Sequence, residues 1–322
     1  MKIKLLLFVS IFLFKVINAQ IDKVFKINID DALISKDDNF PDFDIEKNNM
    51  NRFLISLHQG YSIKDFQKYT KYNNDKIDSI IYILESKNFL HKINNEYKPT
   101  IFIADRKDGE KLYEYAKPIS KAIAKSIKKE ILSIENTFNT TDISTNHLFS
   151  NWSFLILSDV LLDSWQINDV EKFFLKKEYR PLRNGKNYYF SILENTNNNK
   201  EAFGIYGNQY ESIDNNQYSS VYGNNRYNIK TISKNNIVSK SDNQIFKEIA
   251  ISYLPKLLYI LEINRKYSEK VYFKLGYNKE ITFEEFFIWW YHFIYTQATN
   301  YMSKMELLKI PYGGNFEYII TE

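Results

Sequence analysis

Hydrophobic positions along the chain change period several times, and each change marks an element. Residues 48–59 set Phe53, Leu54 and Leu57 on one helical face, and Gly60 offers the positive φ that commonly ends a helix. Ser62, three residues before Asp65, caps a short helix carrying Ile63 and Phe66. Asn74 then opens a third helix with Ile77, Ile80, Ile81 and Leu84 at the i, i+3, i+4, i+7 spacing of a buried face. Residues 91–93 and 97–104 predict two strands around Asn94-Asn95-Glu96. From 108 to about 135 the helical period returns. Ile119, Ile123, Ile127 and Ile131 form a stripe there, while Lys117, Lys121, Lys125, Lys128 and Lys129 take the other sides, and Pro118 is expected to start or kink the helix.

The middle of the chain reads differently. Residues 148–165 are an apolar helix. Four Tyr-rich strand candidates follow at 178–183, 186–194, 201–212 and 219–232, separated by Asn-rich turns, and predict an antiparallel meander. Asn184-Gly185 is a type I′ hairpin signal, because both residues tolerate positive φ. Helical pattern resumes over 242–266 and 282–305, and the chain closes on Pro311-Tyr312-Gly313-Gly314 and a strand at 316–320.

The fold class expected is therefore α+β, a helical N-terminal half followed by an antiparallel Tyr-rich sheet with C-terminal helices. Residues 20–45 form an extended lead-in, 46–136 the helical module with its long amphipathic helix, and 147–322 the α+β domain. The Asn-, Thr- and Ser-rich stretch 137–146 is the expected boundary.

The first nineteen residues belong to none of these elements. Lys2 and Lys4 precede an apolar run from Leu5 to Phe14, and the segment closes on Val16-Ile17-Asn18-Ala19, the layout of a secretory signal peptide. A run of ten residues, nine of them apolar, is too short to span a bilayer, which needs about 20. Cleavage near Ala19 and a periplasmic or secreted location are expected. The ending Asn18-Ala19-Gln20 resembles signal-peptide ends common in Bacteroidota.

Charge and cysteine content narrow the function. The segment 1–19 holds three lysines and no acids, so the remainder carries 40 basic against 39 acidic residues. Such a balance gives no global pull on nucleic acid or anionic membrane. The chain has no cysteine, which excludes disulfides, thiol catalysis and cysteine-bound zinc. The 25 tyrosines and 24 phenylalanines accompany abundant Asn, Lys and Ile, a mixture that base composition alone produces.

The order helix, Gly, helix, helix, hairpin over about 47–105, in the run LISLHQGYSIKDFQKYTKYNNDKIDSIIYILESKNFLHKINNEYKP, resembles a winged helix-turn-helix module. That resemblance implies a third helix able to enter the DNA major groove. Here Asp75 and Asp78 stand beside a single Lys76 at the start of that helix, although Lys64, Lys68 and Lys71 line the second. Carboxylates facing phosphates favour a protein-contacting variant of the module over a DNA-binding one.

Three places carry candidate chemistry. Around the hairpin, Arg180, Arg183, Lys186 and Tyr188 would approach one another across strands, a set suited to an anionic ligand or to cross-strand packing. Tyr206-Gly207-Asn208 is echoed by Tyr222-Gly223-Asn224, where each glycine suggests a bulge with positive φ that either curves the strands or aims phenols and amides at a ligand. In the aromatic helix, Glu285, Trp289 and His292 share a face. Glu285 and His292 are the weak candidates for an acid-base pair, although Thr282 and Glu285 also fit a capping box. No zinc, calcium, phosphate-loop or nucleophile-elbow motif occurs, so neither metal nor cofactor is expected.

An exported cell-envelope binding or interaction protein is the function this set favours, with a protein or envelope ligand as its partner. An exported hydrolase and a winged-helix DNA-binding regulator are the alternatives.

Overall fold

The computed structural model describes residues 21–36, 38–195, 205–214, 216–224 and 236–321. The proposed signal segment, and parts of the third and fourth strand candidates, lie outside the described residues. The protein is α+β, and its chain divides into two compact units interleaved in sequence. Of the described residues, those within 1–106, 179–196 and 275–286 form the first, and those within 107–178, 197–274 and 287–322 the second.

In the first unit the lead-in is less extended than expected. Residues 21–26 are helical, with Ile21 and Val24 fully buried in the unit's core, and strand β1 (Asn28–Ile34) follows. Helices α1 (Met50–His58), α2 (Ile63–Thr70) and α3 (Asn74–Ser86) come next, then strands β2 (Leu90–Ile93) and β3 (Glu96–Pro99) as an antiparallel hairpin. Their signals are local. Gly60 has φ +83°, Ser62 and Asp65 make a reciprocal capping box, and Asn94 and Asn95 turn the hairpin with positive φ. The cap of α3 is Asn73, one residue before the expected Asn74, because its side chain accepts the Lys76 N–H at 2.9 Å. Phe53, Leu54, Phe66, Ile77, Ile80 and Leu84 bury the faces that the spacing assigned.

Strand β4 (Phe102–Ala104) and strand β7 (Tyr189–Asn195) complete this unit, with the two-residue ladder β5 (Leu182–Arg183) and β6 (Lys186–Asn187) before β7. Asn184 and Gly185 both take positive φ, as a type I′ turn requires. The sheet order is β1-β7-β4, with β1 antiparallel and β4 parallel to β7. The four strand candidates therefore do not form one meander. Tyr189 to Leu193 is buried at every position, so the strand needs neighbours on both edges and cover on both faces, and β1 and β4 flank it.

The second unit contains α4 (Arg106–Phe138), which runs through Pro118, and the Ile119, Ile123 and Ile127 stripe is buried within the unit. Lys121, Lys125, Lys128 and Lys129 face solvent, and no helix among the described residues is long and apolar enough to cross a membrane. Residues 137–146 lie inside this unit, where the Asp142 N–H donates to Asp242 at 2.7 Å. Helix α5 (Phe149–Phe154) continues as a π-helical stretch, Leu155–Val160. Strands β8 (Gly207–Asp214), β9 (Gln217–Gly223), β10 (Ile237–Val238) and β11 (Asn315–Thr321) order as β10-β11-β9-β8, antiparallel except where β10 joins β11. Helices α6 (Lys240–Ile263) and α7 (Arg265–Leu275), and α8 (Phe283–Lys304) from Phe287 onward, supply the rest, the first turn of α8 belonging to the first unit. From Phe287 to Tyr295 every residue of α8 is buried, as expected of a helix apolar on all sides.

Candidate functional site

Arg183 and Glu285 meet inside the first unit, both sealed from solvent. The Arg183 guanidinium donates to Glu285 Oε1 at 2.5 Å, to the Thr100 carbonyl at 2.8 Å and to the Asn88 carbonyl, and lies 5.1 Å from the Phe89 ring centroid. Thr282 Oγ1 caps the helix by accepting the Glu285 N–H at 3.3 Å, but Glu285 does not take the carboxylate half of the expected capping box, because its carboxylate turns to the arginine. Burial pushes the Glu285 carboxyl up to about 7, against the opposing pull of Arg183. Tyr188 is buried beside the same guanidinium, and desolvation raises its phenol to about 12. Arg180 lies over the Tyr189 ring, and Lys186 donates to the Asp38 carbonyl at 2.8 Å. The structure brings Arg183, Tyr188 and Glu285 together as interior packing.

His292 belongs to the second unit. Its Nδ1 lies 2.8 Å from the Ile288 carbonyl, so this nitrogen carries the proton, and Nε2 faces Asp163 Oδ1 at 4.0 Å. The ring is buried against Trp289 and Tyr295. Near it the π-helical stretch delivers Ser158 and Asp159 to the interior. A widened helical turn re-aims side chains in this way. Asp159 accepts from Asn208 Nδ2 at 2.6 Å, the Ser164 N–H at 3.1 Å and the Tyr318 hydroxyl at 3.0 Å. Desolvation raises its carboxyl to about 6, and these donors oppose the rise. Ser158 bonds Tyr222 and Thr299, and Tyr206 bonds through its N–H to Thr296 Oγ1. Asn208, Tyr206 and Tyr222 are thus spent in a buried polar network.

The two glycines of the Tyr-Gly-Asn echo do not have positive φ, and the one irregularity in the β8–β9 register falls between Ser212 and Asp214. At Gly223 the reason for glycine is space. A Cβ there would overlap the Asn315 side-chain oxygen and the Gly314 carbonyl, and would lie 2.8 Å from Asn315 Cα. Asn224 in turn rests against Gly314.

That close approach anchors a solvent-facing feature, an open groove of about 650 Å³. Trp152 is buried behind it, its ring 5.0 Å from Phe316 and 6.1 Å from His147 between centroids. Tyr312 stands opposite in sequence and fully exposed, at the corner of a turn closed by the Gly314 N–H on the Pro311 carbonyl at 3.0 Å. Gly313, at φ +85°, holds the turn position that favours glycine. Asn151, Asn236 and Lys309 add polar groups. Asn236 donates to the Glu317 carbonyl at 2.8 Å, and the Lys309 N–H to Ser153 Oγ at 3.1 Å. The sequence marked Pro311-Tyr312-Gly313-Gly314 only as the stretch before the closing strand and assigned no site to it.

No group of three or more metal-ligating side chains occurs among the described residues. No protein-family model, curated protein or solved structure matches the chain.

Proposed function

We propose that the chain is an exported, non-catalytic binding protein of the cell envelope, and that the groove bordered by Tyr312, Asn151 and Asn236 is its ligand site. One contrast carries this reading. The groove is open to solvent and presents the Tyr312 ring with amide side chains, whereas Glu285 and His292 are enclosed among partners of their own. A general acid or base must reach the proton it moves, and neither group meets solvent. Export rests on the signal-like segment 1–19. The protein isolated from its native host is expected to begin at Gln20, and N-terminal sequencing that reads Met1 would remove this part of the proposal.

The three helices and hairpin of the first unit are in the order of the winged-helix likeness. The exposed side of α3 carries Asp75, Asp78, Tyr82 and Glu85, and Lys76 is drawn to Asn48 Oδ1 at 2.5 Å. An acidic face of this kind repels phosphates and favours a protein contact there over a nucleic acid. For the groove, solubilised envelope material passed over immobilised protein should leave a bound component on the wild type. Tyr312→Ala should retain about tenfold less, equivalent to roughly 1.4 kcal/mol. Equal retention by both would end the claim that this groove is the ligand site.

A further inference from the structure

We infer that the groove takes a saccharide, a ligand with vicinal hydroxyls around a ring that has an apolar face; this inference rests on the binding reading above. Tyr312 is the first reason. A fully exposed aromatic ring on a turn fixed by its own hydrogen bond and by Gly313 offers a flat apolar surface at little entropic cost. The C–H face of a pyranose stacks on such a surface.

The polar groups give the second reason. A carboxamide presents two N–H donors and one acceptor oxygen, and a hydroxyl both donates and accepts. Asn151 and Asn236 therefore match adjacent hydroxyls in a way that a charged group does not. Asn236 is held in orientation by its bond to the Glu317 carbonyl, so its amide plane is set before a ligand arrives.

Charge and backbone argue against the competing ligands. Lys309 and Glu317 are of opposite sign, and the lining contains no arginine to grip a phosphate or carboxylate by two parallel bonds. A peptide would add as a strand, but the β11 edge is already occupied. Asn236 bonds the Glu317 carbonyl and accepts the Ile319 N–H at 2.8 Å, and β10 pairs beyond it. The volume lies within the usual range for small-ligand sites, about 300–1,000 Å³.

Calorimetric titration of the full chain with short gluco-, manno-, xylo- and N-acetylglucosamine oligosaccharides tests the inference. At least one series is expected to bind. Tyr312→Ala should weaken it about tenfold and Tyr312→Phe should keep it, since stacking uses the ring and not the hydroxyl. Both variants should melt with the wild type, because the Tyr312 side chain is outside the core. In parallel, envelope material oxidised with periodate, which cleaves vicinal diols, should lose its Tyr312-dependent retention, and protease-treated material should keep it. Loss on proteolysis with survival of periodate overturns the saccharide and leaves the binding reading in place. Absence of retention from untreated material overturns both. Saccharide binding indifferent to Tyr312→Ala assigns the ligand elsewhere and overturns the site.

Discussion

Replacing Arg183 with alanine is expected to cost about 3–5 kcal/mol of stability, the price of breaking a buried ion pair from one side. The guanidinium serves three acceptors at once, Glu285 Oε1 and the carbonyls of Asn88 and Thr100. Its removal leaves all of them without that donor in the interior of the first unit. Glu285→Gln should cost less, about 1–2 kcal/mol, since an amide oxygen still accepts from the arginine. The pH dependence separates the two variants. With its carboxyl raised from 4.5 to about 7, native Glu285 binds more protons than the unfolded chain between those values. Its stabilising share is complete below about 4.5, declines as pH rises, and is gone above about 7, a span of at most about 3 kcal/mol. Asp159, raised from 3.8 to about 6, contributes a decline of the same sign at lower pH. Asp31, which burial raises from 3.8 to about 7, adds a decline over the same range, so Glu285→Gln should make the upper part of the curve shallower without levelling it. In Arg183→Ala the decline should extend above pH 7, because the charge that held the carboxyl down is gone. Urea unfolding at a series of pH values reads all of this. A wild-type curve level from pH 5 to 7, or an Arg183→Ala cost below about 1 kcal/mol, would refute the account of the pair.

The second large effect is expected from one methyl group. Gly223→Ala should destabilise by about 3 kcal/mol, the upper end for overpacking, because two of the three atoms it meets are backbone. A side-chain oxygen can rotate away, but the Gly314 carbonyl and Asn315 Cα move only if the start of β11 moves. That start forms part of the groove, so ligand retention should fall along with stability. Gly60→Ala is the control. Its Cβ would meet nothing within 4 Å, and only the φ of +83° is costly, about 1 kcal/mol. If the two substitutions unfold at the same urea concentration, the close approach at Gly223 is not what its glycine serves.

The parts of this fold that were legible from sequence are those whose causes are local. The faces of α1, α2 and α3, the Ser62–Asp65 box and the Asn184-Gly185 turn each depend on residues within a few positions of one another. Strand pairing does not. Nothing near Tyr189 to Leu193 names β1 and β4 as partners, one more than 150 residues back. Gly223 shows a different limit. Glycine signals either positive φ or lack of room, and the letter is the same for both. Arg183 in a hairpin reads as exposed, and its burial depends on Glu285, about a hundred residues downstream. The groove draws on residues near 150, 236 and 309–317, so no single window carries its pattern.

The interleaving of the two units sets an order in time. As the chain leaves the ribosome, β1 and β4 emerge first and wait for β7, the strand that pairs with both. Their open backbone edges are the kind that join other chains. Even after β7 arrives, Arg183 has no carboxylate partner until Glu285 is made. At about 5–20 residues per second, that gap of roughly a hundred residues lasts on the order of 5–20 s. The first unit thus depends on residues as far along as 286. A nascent chain halted between residues 183 and 285 holds the Arg183 charge without the carboxylate it folds around.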